Sequence, residues 1–500
     1  MPFTISRRTV MSALAAVLAA PGAPAMAGTA HLISAAALQS DLALLRRAWL
    51  ALHPGLFRYQ TGGELDASFT ALSAAFARPR TLVEAYLGLS RLAAQVRCGH
   101  TYLNPWNQEG ASRALIAGGR TRLPFRFRWL DGRMIIVAGG AGDAGLTPGT
   151  EVISLGGRPP GRLLAALMPL ASADGHNDAK RRRLMELRGA DEWELFGIYA
   201  PLVAPNLFQD GAVRLTVRAP EGATKVVQVA LFDRAQRLAG IEKGIVTEGS
   251  AAPAWHMERL ANGAAWITMR DWAVFEGKWD WKAALNESLD ELAADNAPGL
   301  VLDLRGNGGG LDVGDLVLAR LVDRDLPKTG WRRFTRYREV PSDLDPHLDT
   351  WDRSFRDWGA QAIGPDDAGF YRLTRYDDDA EGDLIRPAGR RFRGKLVVIT
   401  DAANSSATFN FAQIVKDLSL GTLVGEMTGG SRRGLNGGAF FFLRLPGSGL
   451  EIDLPLIAQF PTTAQPDAGI APDFNVVANV ADIAAGRDPE REAALHLVGA

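Results

Sequence analysis

The chain has 500 residues, of which 47% are apolar and 22% charged, with 55 Lys plus Arg against 56 Asp plus Glu. At about 150 residues per domain this leaves room for roughly three domains with real cores; the composition excludes a disordered or fibrous chain, and the balanced charge leaves no global field that would recruit nucleic acid or an anionic membrane surface. The single cysteine, Cys98, excludes an intrachain disulfide framework and a cysteine-based zinc site.

Residues 1–27 read as an export signal. Arg7 and Arg8 precede an apolar run from Val10 to Ala20, and Ala25-Met26-Ala27 completes the order of charged start, apolar middle and cleavage site. The run is too short to span a bilayer, and the paired arginines after Ser6 resemble a bacterial twin-arginine signal. The expectation is cleavage after Ala27 and a periplasmic or secreted protein without a transmembrane segment; a buried N-terminal helix is the alternative.

Residues 28–118 form a predicted helical domain. Leu38, Leu42, Leu45 and Trp49 recur at helical spacing, as do Tyr86, Leu89, Ala93 and Val96, and the helices lead into Cys98-Gly99-His100-Thr101-Tyr102-Leu103. Over 119–248 the period shifts toward two, with strand candidates at 125–129, 134–138, 151–155, 213–217 and 226–230 and a helical stretch around Asp178–Tyr199. The run 144–167, a turn, a strand, a Gly-Gly turn and a helix, resembles the core of a PDZ module, which binds an extended peptide as an added strand; an ordinary hairpin followed by a helix is the alternative. Gly249–Pro253 reads as a linker. From 254 to 500 strands and helices alternate, with strands at 264–269, 299–304, 395–400 and 421–426 and helices at 279–294, 315–321 and 406–418, the pattern of an α/β domain with parallel pairing. The polar segment 323–391, with Trp331, Trp351 and Trp358, reads as an insertion, either a lid or a surface excursion.

Two segments carry chemistry. The strand 299–304 runs into Arg305-Gly306-Asn307-Gly308-Gly309-Gly310, and four glycines among five residues are more than a single turn needs. Such a run frees backbone N–H groups to face a ligand. The spacing is not that of a dinucleotide loop, which leaves an oxyanion hole or a plain turn. The second segment follows strand 395–400: Asp401-Ala402-Ala403-Asn404-Ser405-Ser406-Ala407 opens a helix. A serine there sits among unsatisfied N–H donors at the positive end of the helix dipole, which suits a nucleophile, or it merely caps the helix. A nucleophilic serine needs a base, usually His or Lys. Of seven histidines, His53, His31 and His496 have no local support and His176, His256 and His347 lie in polar or loop-like contexts, while His100 leaves the helical domain after Gly99. No GxSxG elbow, SxxK pair or HExxH helix is present.

Taken together, CGHTYL (98–103), LDLRGNGGG (302–310), NSSATFNFA (404–412), GEMTGG (425–430) and GIAPD (469–473) resemble, in order, the motifs of the tail-specific (C-terminal processing) and tricorn-core serine proteases, in particular the histidine-using tricorn-like branch. The resemblance implies an α/β fold with a crotonase-like catalytic domain of mixed strands and helices, an N-terminal helical domain and a β-rich PDZ-like domain. It implies Ser406 as nucleophile, His100 as general base, and the N–H groups of Gly309 and Ala407 as oxyanion donors. Where the processing proteases carry a lysine this chain has Ser431, followed by Arg432 and Arg433, and arginine cannot serve as a base; a Ser/His pair is therefore implied. The position of the orienting glutamate is Pro466, beside Asp467, so Asp467, Glu451 or no residue fills the third role. The implied substrate is an extended or unfolded polypeptide, with no cofactor or metal. A binding protein on the same scaffold and a small-molecule esterase or amidase are the alternatives.

Overall fold

The computed structural model describes residues 32–139, 145–189, 194–208, 210–239, 255–275, 279–328, 330–377 and 383–500. The expected signal at 1–27 and the expected linker Gly249–Pro253 lie outside them.

The N-terminal helices form as their periodicity predicts. In Ala35–Leu52 the residues Leu38, Leu42, Leu45, Trp49 and Leu52 share one buried face, and the Ser34 hydroxyl caps the start by accepting from the Ala37 N–H. Gly62–Ala75 and Leu82–Gln95 each begin with a reciprocal capping box, Thr61 with Glu64 and Thr81 with Glu84. The next region is a five-stranded antiparallel meander of Arg126–Leu130, Arg133–Ala138, Glu151–Leu155, Ala212–Arg218 and Thr224–Ala230, neighbours in space as in sequence. Its alternation is visible in Ala212–Arg218, where Val213, Leu215 and Val217 turn inward and Arg214 and Arg218 outward.

The α/β region is built on a six-stranded sheet ordered Phe474–Asn475, Thr422–Gly425, Lys395–Thr400, Gly299–Asp303, Ala265–Met269 and Trp255–Arg259, parallel except for the last strand. Gly299–Asp303 is buried along its whole length because helices cover both faces. Trp281–Ala294, Gly314–Leu321 and Ser406–Asp417 pack on one face and Pro489–Val498 on the other.

A second six-stranded sheet was not expected. The long antiparallel pair Asn436–Arg444 and Glu451–Pro461 is extended on one side by Leu348–Asp349 and on the other by Trp331–Thr335, Tyr371–Leu373 and Ala362–Ile363. Four of these strands come from the segment read as an insertion. Its residues Tyr337, Leu344, Phe355, Trp358 and Leu373 belong to the same apolar cluster as Leu38 of the first helix and Phe127 of the meander. This part of the segment is core rather than surface excursion, and Trp358, 2% exposed, lies against the rings of Tyr337 and Phe355. No helix among the described residues is long and apolar enough to cross a membrane.

Trp358→Ala is expected to cost about 3–5 kcal/mol of stability, as for other buried aromatic truncations. Guanidinium unfolding checks this, and a loss below about 1 kcal/mol would mean that the segment packs loosely after all.

Candidate active site

The two chemically suggestive loops leave the sheet side by side. Gly299–Asp303 pairs in parallel with Lys395–Thr400, Asp303 opposite Ile399, so both chains emerge at the same carboxyl edge, where open α/β sheets place their ligands. Two asparagines stitch them together. Asn404 Nδ2 donates to Leu304 O (2.6 Å) and Asn307 O (2.9 Å), while its Oδ1 accepts from the Asp401 N–H (2.8 Å). Asn307 Nδ2 donates to Met269 O (2.9 Å), and its Oδ1 accepts from the Gly309 N–H (2.9 Å). Ser405 Oγ donates to Gly308 O (3.0 Å), and Thr408 Oγ1 lies 3.1 Å from Asn307 O and 2.8 Å from Ser405 O.

This stitching holds Ser406 in a left-handed conformation, φ +53°, at the first turn of Ser406–Asp417. A non-glycine residue there stores strain of order 1–3 kcal/mol, and such a strand-to-helix turn projects a side chain away from the helix. Gly309, itself at φ +110°, closes on it: a Cβ at Gly309 would lie 2.8 Å from Ser406 Cβ and from Ser405 O, and 3.1 Å from Ala407 N. The structure thus brings Ser406, Gly309 and Ala407 together. At the second helical position the Ala407 N–H has no intrahelical acceptor, and no other acceptor reaches it among the described residues. The Gly309 N–H, by contrast, is engaged by Asn307 Oδ1.

His100 is presented by the turn that follows Gln95. The Gly99 N–H donates to Asp174 Oδ1 (2.9 Å), Asn436 Nδ2 meets Cys98 Sγ (3.2 Å), and Ser172 Oγ donates to Thr101 O (2.8 Å). The imidazole packs on Phe440, with centroids 5.6 Å apart, and over Gly437, where a Cβ would stand 3.6 Å from Cε1. Burial and, more weakly, the Lys180 charge hold His100 below its ordinary value against the opposing pull of Asp174. Its Nδ1 is buried without a hydrogen-bond partner, and no hydrogen bond joins the ring to Ser406 among the described residues. Asp467 therefore does not orient it. That carboxylate accepts instead from Ser431 Oγ (3.0 Å) and pairs with His176 Nδ1 (2.5 Å), because the turn at Gly175 presses so close that a Cβ there would fall 1.9 Å from Asp467 Oδ1. Glu451, the other candidate, pairs with Arg444 (3.2 Å).

Four residues of the site were not anticipated. Asp174 and Lys180 come from the meander region. Lys180 Nζ donates to Ala403 O (2.6 Å) and Ser405 Oγ (3.1 Å), and burial, with Arg183 nearby, brings its pKa down to about 8. Burial raises the Asp401 carboxyl, but Arg183 and Arg188, at 3.4 and 3.3 Å, overcome this and hold it well below the usual carboxylate range. His53, which showed no local support, braces the His100 loop. Its Nδ1 accepts from the Gly55 N–H (3.1 Å), so Nε2 carries the proton and donates to Thr101 Oγ1 (2.7 Å). Burial and then Arg58 push its pKa down to about 3. The histidine before Pro54 was visible in the sequence, but its partner lies 48 positions away.

Residues 264–476 match peptidase family S41. A search of curated proteins returns no match. Among solved structures the chain is similar to mature CPAF complexed with lactacystin, at 16% identity and a TM-score of 0.61, over 92% of this chain and 97% of that one. It is likewise similar to mature CPAF, at 16% identity and a TM-score of 0.56, over 92% and 96% of the two chains.

Gly309→Ala would drive a methyl into Ser405 O and Ser406. Labelling of Ser406 by a fluorophosphonate is expected to fall by about 100-fold, the scale of an ångström's misplacement, together with a lowered melting temperature from alanine at φ +110°; an unchanged rate in the folded variant would dissociate Gly309 from the serine. The depressed pKa of His53 sets a second expectation. Since the folded chain refuses a proton that the unfolded chain accepts below about pH 6.5, this contribution to stability is complete above that pH and is lost as pH falls toward about 3, at up to about 1.4 kcal/mol per unit. Urea unfolding at pH 7 and pH 5 should show the loss, reduced in His53→Gln.

Proposed function

We propose that this chain, a serine-type peptidase whose residues 264–476 belong to peptidase family S41, is an exported endopeptidase that cleaves extended or unfolded polypeptides through Ser406 and His100. The observation that carries the reading is the left-handed Ser406 wedged against Gly309, with the unengaged Ala407 N–H beside it. Ser406 Oγ attacks the peptide carbonyl carbon while His100 takes the hydroxyl proton, forming a tetrahedral adduct. The proton then passes from His100 to the leaving amine as the C–N bond breaks, and water releases the acyl group by the same route. The developing oxyanion is held by the Ala407 N–H and by the Gly309 N–H, which must be shared with or released from Asn307 Oδ1; one such donor is worth about 3–4 kcal/mol of barrier.

His100 suits this role. Burial pushes its pKa down and so favours the neutral, proton-accepting imidazole. The Asp467 carboxylate is engaged by His176 and Ser431, so its contribution is to hold the turn around Gly175 rather than to orient His100. On this reading the catalytic domain is crotonase-like, the meander of 126–230 is PDZ-like and captures the extended chain as an added strand, and residues 1–27 direct the protein to the periplasm or beyond.

The deciding experiment incubates the mature protein and its Ser406→Ala variant with an unfolded polypeptide and reads new termini by mass spectrometry. Cleavage by the parent alone is expected. Turnover of small esters without polypeptide cleavage would make the chain an esterase on this scaffold, and cleavage by both proteins would remove Ser406 from the mechanism. Plotted against pH, kcat/KM is expected to lose activity on the acid side with a midpoint below 6.5, since protonated His100 cannot accept the serine proton; a midpoint above 6.5 would assign the limb to another group.

A further inference from the structure

The helix Asp178–Leu184 enters the active site from the meander region, and the mechanism above makes no use of it. Its N-terminal residue Asn177 grips the segment after Thr422–Gly425, Nδ2 donating to Thr428 O and Gly430 O, both at 2.9 Å. One turn on, Lys180 lies along Gly429, where a Cβ would stand 2.8 Å from its Cδ, and reaches Ala403 O and Ser405 Oγ. No carboxylate lies within ion-pair distance of Nζ among the described residues. A partly buried ammonium without a close counterion is costly, and such groups concentrate at functional sites.

The hydrogen-bond arithmetic shows what the cation does. A serine hydroxyl has one proton to give. With Lys180 supplying a donor to Ser405 Oγ, the Ser405 proton is directed at Gly308 O, the carbonyl immediately before Gly309. A relay therefore runs from Lys180 Nζ through Ser405 Oγ to Gly308 O, flanking Ser406 on one side and setting the glycine loop on the other. The same ammonium bonds Ala403 O, two residues before Ser405. Ser405, its proton committed to Gly308 O, is a strut.

We propose that Lys180 is a positioning residue of this peptidase, fixing the 403–405 backbone and the glycine loop so that Ser406 faces its oxyanion donors. The proposal rests on Ser406 as nucleophile and His100 as base. Four charged groups set the electrostatics: Arg183 on the same helix, Asp401 on the serine loop, Asp174 behind the His100 turn, and Lys180 itself. Lys180 and His100 repel as cations, so removing the lysine charge makes His100 easier to protonate.

The test uses the full mature protein, a fluorophosphonate probe whose attachment is located by mass spectrometry, and the variants Lys180→Met, Lys180→Gln and Lys180→Arg. The parent is expected to label at Ser406. Lys180→Met should label about 100-fold more slowly at its pH plateau with nearly unchanged melting, and its acid limb should move to higher pH. Lys180→Arg, which keeps charge and donors, should recover much of the rate. Lys180→Gln, which keeps donors without charge, should stand nearer the parental plateau but share the shifted limb; if Lys180→Met does not fold, that limb decides. Labelling of Lys180→Met at the parental rate, or an unshifted acid limb in Lys180→Gln, overturns the proposal while leaving Ser406 in place. No labelling of the parent at Ser406 overturns the nucleophile assignment and this proposal with it.

Discussion

The arrangement depends on Asn404. Its amide sits where two parallel strands end in register, donating to Leu304 O and Asn307 O on one loop and accepting from the Asp401 N–H on its own. Leu304 O also accepts from the Asn307 N–H and Asn307 O from Thr408 Oγ1, whereas the Asp401 N–H, just past the end of its strand, is met by the Asn404 Oδ1, and a buried polar group left unpaired costs about 1–3 kcal/mol. One fully buried side chain thus bridges three backbone groups on two loops. In doing so it fixes the distance between the glycine loop and the serine turn, and the left-handed Ser406 is over-determined by the bonds around it. Strain at a functional residue persists only in such surroundings.

Around this stitch the molecule is a meeting of four regions. The α/β sheet supplies Ser406, Gly309 and Ala407 from local chain reversals. The N-terminal helices supply His100, braced by His53 and Thr101. The meander supplies Asp174 and Lys180, and the antiparallel pair Asn436–Arg444 and Glu451–Pro461 supplies the wall formed by Gly437 and Phe440 behind the imidazole. One apolar cluster runs through the helices, the meander and that wall, so their relative placement is held by shared core rather than by linkers.

Legibility in the sequence followed the range of the interactions. Strands such as 395–400 and 213–217 declared themselves through apolar runs or alternation, and the glycine loop and serine turn through composition, because each depends on residues a few positions apart. The pair Asn436–Arg444 and Glu451–Pro461 gave no such signal. Glu451–Pro461 is buried on both faces over most of its length and includes Glu451, Asp453 and Pro455, so neither alternation nor a clean apolar run marks it. The surroundings of Asp467 were hidden for a different reason. Its position beside Pro466 is a matter of sequence, whereas its partner is chosen by how tightly the Gly175 turn approaches, and that is set 291 residues away. Lys180 stands in a basic run, Lys180 to Arg183, in which nothing in the sequence singles out one residue from the next. Only docking of that helix separates the half-buried lysine from its exposed neighbour Arg182.

The span of the contacts made by Asp178–Leu184 has a kinetic meaning. Lys180 and Asn177 meet their partners across separations of 223 to 253 residues. Contacts of this range bear the greatest loop-closure entropy and weigh most heavily on folding rate. The helix is synthesised more than 200 residues before the serine turn, so these contacts close only when residues 403–430 have been made and have docked back onto it. The serine turn therefore acquires its long-range contacts to Lys180 and Asn177 only in a late docking step of folding.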